Sequence, residues 1–317
     1  MTNKREQLAG WTSLVADSGD LDSIRTLLPE DATTNPSLLL KTAQNPDYRH
    51  LLGEAMKFAG QLSPTDDVTW LADAFATLTG EQILRHIPGV VSTEVDARLS
   101  FDTAATVARA RRIALLYREL GVSRDRFLIK IAATWEGIRA CEVLEEEGLR
   151  CNITLLFSLE QAIAAAEAGA TLVSPFVGRI HDWHVKHGTA ISDPQSDPGV
   201  QSVKRIYQEF KSRGLDTIVM GASFRNVGQI EALAGCDKLT IAPDLLEQLM
   251  ADQGTLQRAL ELPESSNVGP EPPALTESAF RYALNDNAMA NDLLADGIRR
   301  FVADQQALER LLQEPGA

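Results

Sequence analysis

Cysteine is scarce in this chain, and basic residues are outnumbered. Three cysteines, Cys141, Cys151 and Cys236, occur in 317 residues, with no C-x-x-C pair. An odd count without paired spacing excludes a disulfide framework. Each thiol sits in an apolar helix or strand context, so all three read as reduced core residues. Lysine and arginine total 30 against 44 aspartates and glutamates, a formal charge of −14. That balance argues against nucleic acid or an anionic membrane as partner, since either needs a basic face to displace counterions. It leaves a phosphorylated small molecule open. One or two arginines in a closed pocket outweigh a diffuse acidic surface screened over roughly 10 Å. No apolar run approaches the ~20 residues of a membrane span, and the first twenty residues lack the apolar stretch of a secretory signal. A cytoplasmic protein is the expectation.

What the chain does have is alternation. Short apolar runs read as strands at Leu14–Asp17, Asp31–Thr34, Val90–Val95, Phe127–Ala132, Cys151–Leu156, Thr171–Ser174, Thr217–Met220 and Lys238–Ile241. Several are rich in valine and isoleucine, as buried parallel strands are. Amphipathic helical stretches lie between them. Thr103–Leu120 stops at Gly121, Thr134–Glu147 at Gly148, Leu159–Ala168 at Gly169 and Val200–Arg213 at Gly214. Thr134 and Ser158 stand as helix N-caps, and only Ser158, with Gln161 three residues on, completes a capping box. Eight strand–helix units favour a closed (β/α)₈ TIM barrel over an open doubly wound sheet. One barrel domain over residues 1–317 is expected, with additional helices inserted at 36–87. A stretch from Pro263 to Pro273 then leads to a long helical tail, about Glu277 to Gln313, that packs over the barrel through Phe280, Tyr282, Leu284, Leu293, Leu294, Ile298 and Phe301.

A barrel of this kind places its chemistry at the C-terminal ends of the strands, so polar residues inside apolar strands are the ones to weigh. Lys130 lies in Phe127-Leu-Ile-Lys-Ile-Ala. Side-chain alternation puts Leu128, Lys130 and Ala132 on one face and the bulkier Phe127, Ile129 and Ile131 on the other, which suits the helix layer. Lys130 then points inward, where burial favours the neutral amine and hence a nucleophile. The competing reading is a strand-end lysine that reaches solvent or pairs with Glu94. Glu94 and Asp17 are strand-end carboxylates suited to general acid/base work, or else members of a core salt-bridge network, where Asp96 and Arg98 fit better. Asn152 and Thr154 share a face of the fifth strand. Asn35, before Pro36, has the place of a helix N-cap. Arg179 and Arg225 follow the sixth and seventh strands, where such barrels often bind phosphate; either alone reads as a surface arginine. His181, His184 and His187 have a spacing that admits metal ligands, but the expectation is a solvated loop–helix surface.

Taken together, the segments resemble the transaldolase family in its long form, over nearly the whole chain. The matching motifs are Ala-Thr-Thr-Asn-Pro-Ser at 32–37, Val-Ser-Thr-Glu-Val-Asp-Ala-Arg at 91–98 and Ile-Lys-Ile-Ala-Ala-Thr-Trp-Glu-Gly at 129–137. Cys-Asn-Ile-Thr-Leu-Leu-Phe-Ser at 151–158, Ser-Pro-Phe-Val-Gly-Arg-Ile at 174–180 with Asp182-Trp183, and Met-Gly-Ala-Ser-Phe-Arg-Asn at 220–226 complete the set. The resemblance implies transfer of a dihydroxyacetone unit from a ketose phosphate to an aldose phosphate in the non-oxidative pentose phosphate pathway. In it Lys130 is the Schiff-base lysine, and Glu94 the acid/base acting through a water that Thr154 helps to hold. Asp17 takes the proton from the donor's C4 hydroxyl. Asn35, Asn152 and Ser174 contact the dihydroxyacetone part, Arg179 and Arg225 clamp the phosphate, and Phe176 lies beside the water. A phenylalanine at 176, rather than a tyrosine, resembles the transferase choice over plain aldol cleavage. No cofactor and no metal are implied, because the iminium does the polarising; the three histidines are not part of the family's pattern. Members are often homodimers, although no interface follows from this sequence. The alternatives are a fructose-6-phosphate aldolase-like enzyme that releases free dihydroxyacetone and, in a different class, a non-catalytic sugar-phosphate-binding barrel.

Overall fold

A computed structural model describes residues 2–63, 67–261 and 274–314. Helix α1 (Lys4–Ala9) precedes β1 (Ser13–Asp17), and α2 (Leu21–Leu27) leads to β2 (Asp31–Thr33). Three helices, α3 (Pro36–Gln44), α4 (Arg49–Leu62) and α5 (Val68–Leu84), come before β3 (Val91–Glu94). The regular alternation follows: α6 (Thr103–Glu119), β4 (Phe127–Ala132), α7 (Trp135–Glu146), β5 (Cys151–Leu156), α8 (Leu159–Glu167) and β6 (Leu172–Pro175). Then come α9 (Gly178–Lys186), α10 (Pro198–Ser212), β7 (Ile218–Gly221), α11 (Val227–Glu231), β8 (Lys238–Ile241) and α12 (Pro243–Ala251). Two helices close the chain, α13 (Glu277–Asp286) and α14 (Ala288–Leu312). All strands are parallel and each pairs with its sequence neighbours, with β8 closing onto β1. This is the eight-stranded barrel expected, with extra helices between β2 and β3.

The local signals act as the sequence suggests. Gly121, Gly148, Gly169 and Gly214 follow α6, α7, α8 and α10 with φ of 76°, 73°, 75° and 66°. A left-handed residue there lets the chain turn back without a Cβ clash. Ser158 and Gln161 form the capping box of α8, whereas Thr134 caps α7 through the Gly137 N–H alone. The alternation in β4 sorts its side chains as its pattern demands. Phe127, Ile129 and Ile131 join the large core between strands and helices. Leu128 meets Val15, Leu172 and Met220 inside the barrel. All three cysteines are buried and free.

The tail differs from expectation in one respect. It is two helices, because Asn287 leaves helical geometry and caps the second by accepting from the Ala290 N–H. Phe280, Leu294, Ile298 and Phe301 are buried, but Tyr282 is 69% exposed. Two residues along a helix turn the side chain through about 200°, so Tyr282 faces away from the face that buries Phe280. Helix α14 lies over the C-terminal ends of the strands. Ala290, Leu294, Ile298 and Phe301 pack on Ala132, Leu155, Phe157, Phe176 and Ala222. The stretch from Pro263 to Pro273 lies outside the described residues. Among the described residues no helix is long and apolar enough to cross a membrane.

Polar ties fix α14 at both ends of its span. Trp183 on α9 donates its Nε1–H to Asp292 at 3.1 Å, and Ser37 on α3 bonds to Asp304. Arg98 bridges Asp96 in the loop after β3 and Glu309 on α14. The salt-bridge role read for Asp96 and Arg98 is therefore the one they have. Asp96 and Glu309 are nearly buried, so removing their common partner strands two carboxylates. Arg98→Met is expected to cost about 2–3 kcal/mol, toward the low side of buried-pair losses because Arg98 is partly solvated and Arg109 stays near Asp96. Urea unfolding checks this; a loss under about 0.5 kcal/mol would reduce the bridge to an exposed pair.

Candidate active site

The strand register lines up the inward polar residues. Glu94 on β3 is level with Lys130 on β4, Lys130 with Asn152 on β5, and Ala132 with Thr154. One level below lie the apolar side chains of Val15, Leu128, Leu172 and Met220. The amine of Lys130 therefore rests on a hydrocarbon floor. The residue is 4% exposed. Its Nζ donates to the Thr34 carbonyl at 3.1 Å and to Thr33 Oγ1 at 3.3 Å, and stands 3.4 Å from Glu94 Oε2. It does not reach bulk solvent. It does approach Glu94, the contact that the pairing reading describes, and it points inward as a nucleophile would have to.

Both carboxylates feel the lack of water. Burial pushes the Glu94 carboxyl above its usual range, against the pull of Lys130 and Arg179. The Asp17 carboxyl is likewise raised by burial, with Lys130, Arg179 and Lys41 opposing. Burial wins in each case because a low-dielectric pocket penalises the ionised form more than one or two nearby cations repay. Glu94 Oε2 has no hydrogen-bond partner, and neither has the buried Thr154 Oγ1. A raised carboxyl pKa suits a group that must both take and give a proton near neutrality.

Around the amine lies a cavity of about 70 Å³, lined among others by Asp17, Asn35, Lys130, Thr154, Ser174, Phe176 and Arg179. Seven of the ten residues singled out in the sequence thus share one space. Asn152 lies beside it, accepting from Ser174 Oγ at 2.6 Å and donating to Ser92 Oγ at 3.1 Å. Asn35 caps α3 by accepting from the Leu38 N–H at 3.0 Å, as its place before Pro36 suggests, and it also lines the cavity.

Arg179 and Arg225 behave differently from one another. Arg179 sits between the rings of Phe176 and Phe301, 5.0 and 5.3 Å from their centres. Among the described residues it has no ion-pair partner, and its buried Nη1 has no hydrogen bond. Burial weakens its hold on the proton, and repulsion from Arg300 and Arg225 adds to this. Arg225 stands at the rim, half-exposed and paired with Asp182, Nη2 to Oδ2 at 2.8 Å. Both arginines line an outer cleft of about 500 Å³, with Lys186 and Arg300. The start of α9, which carries Arg179, and the loop that carries Arg225 touch closely. The Gly178 N–H donates to the Ser223 carbonyl at 2.6 Å, and a Cβ on Gly178 would lie 2.1 Å from that oxygen and 2.8 Å from Arg225 Nη1. Only glycine permits this approach. Ser223 itself has a φ of 63°, an uncommon conformation for a serine. A cation with no partner, close to a second cation, can receive an anion.

Several lining residues escaped the sequence reading. Thr33 and Thr240 share the inward parity of their strands and could have been found from it. Ser223, lining the inner cavity, and Phe301, reaching it from α14, could not, because each depends on how separate segments meet. Among the described residues His181, His184 and His187 do not converge as ligands; the one such cluster of three is Cys141, Glu145 and Cys151. There Glu145 is already engaged, accepting from the Cys151 and Thr171 N–H groups at 2.8 and 2.7 Å.

The raised carboxyl pKa of Glu94 has a consequence for stability. The folded chain holds that proton more tightly than the unfolded one. The wild-type chain therefore loses stability as pH rises from the ordinary carboxylate range through the folded pKa, whereas a Glu94→Gln variant does not. The variant should become more stable relative to wild type between pH 4 and pH 8, as measured by urea midpoints. A constant difference would show that Lys130 and burial cancel, and one that moves the other way would show that Lys130 outweighs burial.

Comparison with known proteins agrees with this geometry. The family model described as Transaldolase/Fructose-6-phosphate aldolase matches residues 14–312. The chain is 55% identical over 315 residues to a protein named Transaldolase from Marinomonas sp., covering 99% of each chain. It is 57% identical over 315 residues to one of that name from Stutzerimonas stutzeri, again covering 99% of each, and 56% identical over 317 residues to one from Marinobacter nauticus, covering 99% and 98%. Matches at this identity, end to end across a closed barrel with a buried lysine at its centre, place the chain in the transaldolase family.

Proposed function

We propose that this chain works as a transaldolase whose reaction runs through a Schiff base on Lys130, and that it moves a dihydroxyacetone unit from a ketose phosphate to an aldose phosphate. The observation that carries the reading is an amine 4% exposed, on the cavity wall, 3.4 Å from a buried carboxyl. Such an amine hands its proton to Glu94 and attacks the C2 carbonyl of the ketose. Water then leaves with proton help from Glu94, through a water for which the free Thr154 hydroxyl is a ready partner. The protonated imine is an electron sink. Asp17, made more basic by burial, takes the C4 hydroxyl proton. The C3–C4 bond breaks, its electrons enter the imine, and an aldose phosphate departs. The retained enamine then attacks the aldehyde carbon of an acceptor, and the steps run in reverse.

Transfer requires that the enamine survive between the two aldehydes. Phe176 and Phe301 wall the cavity with hydrocarbon and carry no hydroxyl able to protonate it. That favours a transferase over an aldolase releasing dihydroxyacetone. Arg179 and Arg225 supply the charge for the phosphate end of each substrate. Sedoheptulose 7-phosphate or fructose 6-phosphate as donor, and erythrose 4-phosphate or glyceraldehyde 3-phosphate as acceptor, fit this reading, in the cytoplasmic non-oxidative pentose phosphate pathway.

Transfer from fructose 6-phosphate to erythrose 4-phosphate is the assay. Lys130→Ala should abolish it with the fold intact by circular dichroism. Glu94→Gln should slow it about 10²–10⁴-fold. Measurable turnover in the first variant, or a change under about threefold in the second, would contradict the assigned roles. Without an acceptor, wild-type enzyme should release little free dihydroxyacetone; fast release would favour the aldolase alternative.

A further inference from the structure

Of the three histidines between Arg179 and Gly188, His181 is the one with a buried partner. It lies on α9, two residues past Arg179, with its Nδ1 2.6 Å from Asp197 Oδ2. Asp197 is 1% exposed and precedes α10. Its Oδ1 accepts from the Gly199 N–H at 2.8 Å, and its Oδ2 also accepts from Gln229 Nε2 at 2.9 Å. A carboxylate can only accept, so the imidazole carries its hydrogen on Nδ1. Gln229, on α11, is fully buried, and its other end is committed as well: Oε1 accepts from the backbone N–H of Arg225 at 2.8 Å. A continuous chain of hydrogen bonds thus runs from the helix bearing Arg179, through Asp197 and Gln229, to the backbone of Arg225.

Ordinary helix packing needs no such chain. Apolar side chains would join α9, α10 and α11 without desolvating a carboxylate and an amide. What this place does need is rigidity, because two guanidinium groups that repel each other must be held side by side before any anion arrives. We infer that His181, Asp197 and Gln229 form a strut, buried at Asp197 and Gln229, that sets the spacing of Arg179 and Arg225, and so tunes affinity for the phosphate end of the sugar. This rests on the reading of those arginines as the phosphate clamp. The three are positioning residues, since none lines the inner cavity or the outer cleft.

Three variants and one control test it, each assayed on fructose 6-phosphate and on unphosphorylated fructose. Gln229→Met removes both hydrogen bonds at similar volume; His181→Leu removes one from a partly exposed position and keeps the test alive should the first variant misfold. Gln229→Met should raise KM for fructose 6-phosphate about tenfold and His181→Leu about threefold. kcat should stay within about twofold, and kcat/KM for fructose should not change. His181→Gln, which restores an N–H donor, should recover most of the loss. Equal losses on both sugars, no rise in KM, or no recovery with His181→Gln would overturn the strut. Arg225→Ala is the control. If it does not weaken the phosphorylated sugar selectively, the clamp reading fails and the strut with it. If it does while Gln229→Met and His181→Leu do not, the strut alone is wrong.

Discussion

The site depends on one imbalance: an amine and two carboxyl groups share a space with little water, and Glu94 Oε2 has no hydrogen-bond partner. Lys130, Glu94 and Asp17 meet at the top of an apolar floor, and burial shifts both acids toward their neutral forms in spite of the amine beside them. In water these groups would be a charged and inert cluster. In the barrel both acids are held toward the form that can give a proton, which suits the imine chemistry proposed for this site. Such an arrangement is unfavourable for stability, and the apolar layers inside and outside the strands offset it.

The second requirement is a roof. Helix α14 supplies it, crossing the strand ends with Phe301 against the guanidinium of Arg179 and Gly297 beneath. A Cβ at Gly297 would lie 2.7 Å from Leu155 Cδ2 and 3.0 Å from Arg179 Nη1, so any larger residue there would displace both side chains. The same helix is tied to the rest of the chain by Asp292, Asp304 and Glu309. The element that covers the cavity therefore also packs against Arg179.

The barrel and the lysine's orientation were legible because each rests on a local rule. β4, β5 and β8 have the limits their apolar runs suggest, and four glycines end four helices for the reason that makes glycine common there. β6 and β7 each begin and end one residue later than read, at Pro175 and Gly221, since pairing with the neighbouring strand, not hydropathy, sets where a strand ends. The break at Asn287 was hidden because apolar spacing continues on both sides of it. Ser223 and Phe301 were hidden for a deeper reason. Each acquires its place when distant segments close over the barrel, and no periodicity within its own segment reports that. Arg225 was read correctly as a loop arginine after β7, but its pairing with Asp182, 43 positions earlier, is a property of the fold alone.

Covalent trapping addresses the central claim most directly. Borohydride reduction of the enzyme in the presence of fructose 6-phosphate should leave a stable adduct, and peptide mass analysis should place it on Lys130. An adduct on another lysine, or none under conditions that support turnover, would contradict the claim that this buried amine carries the reaction.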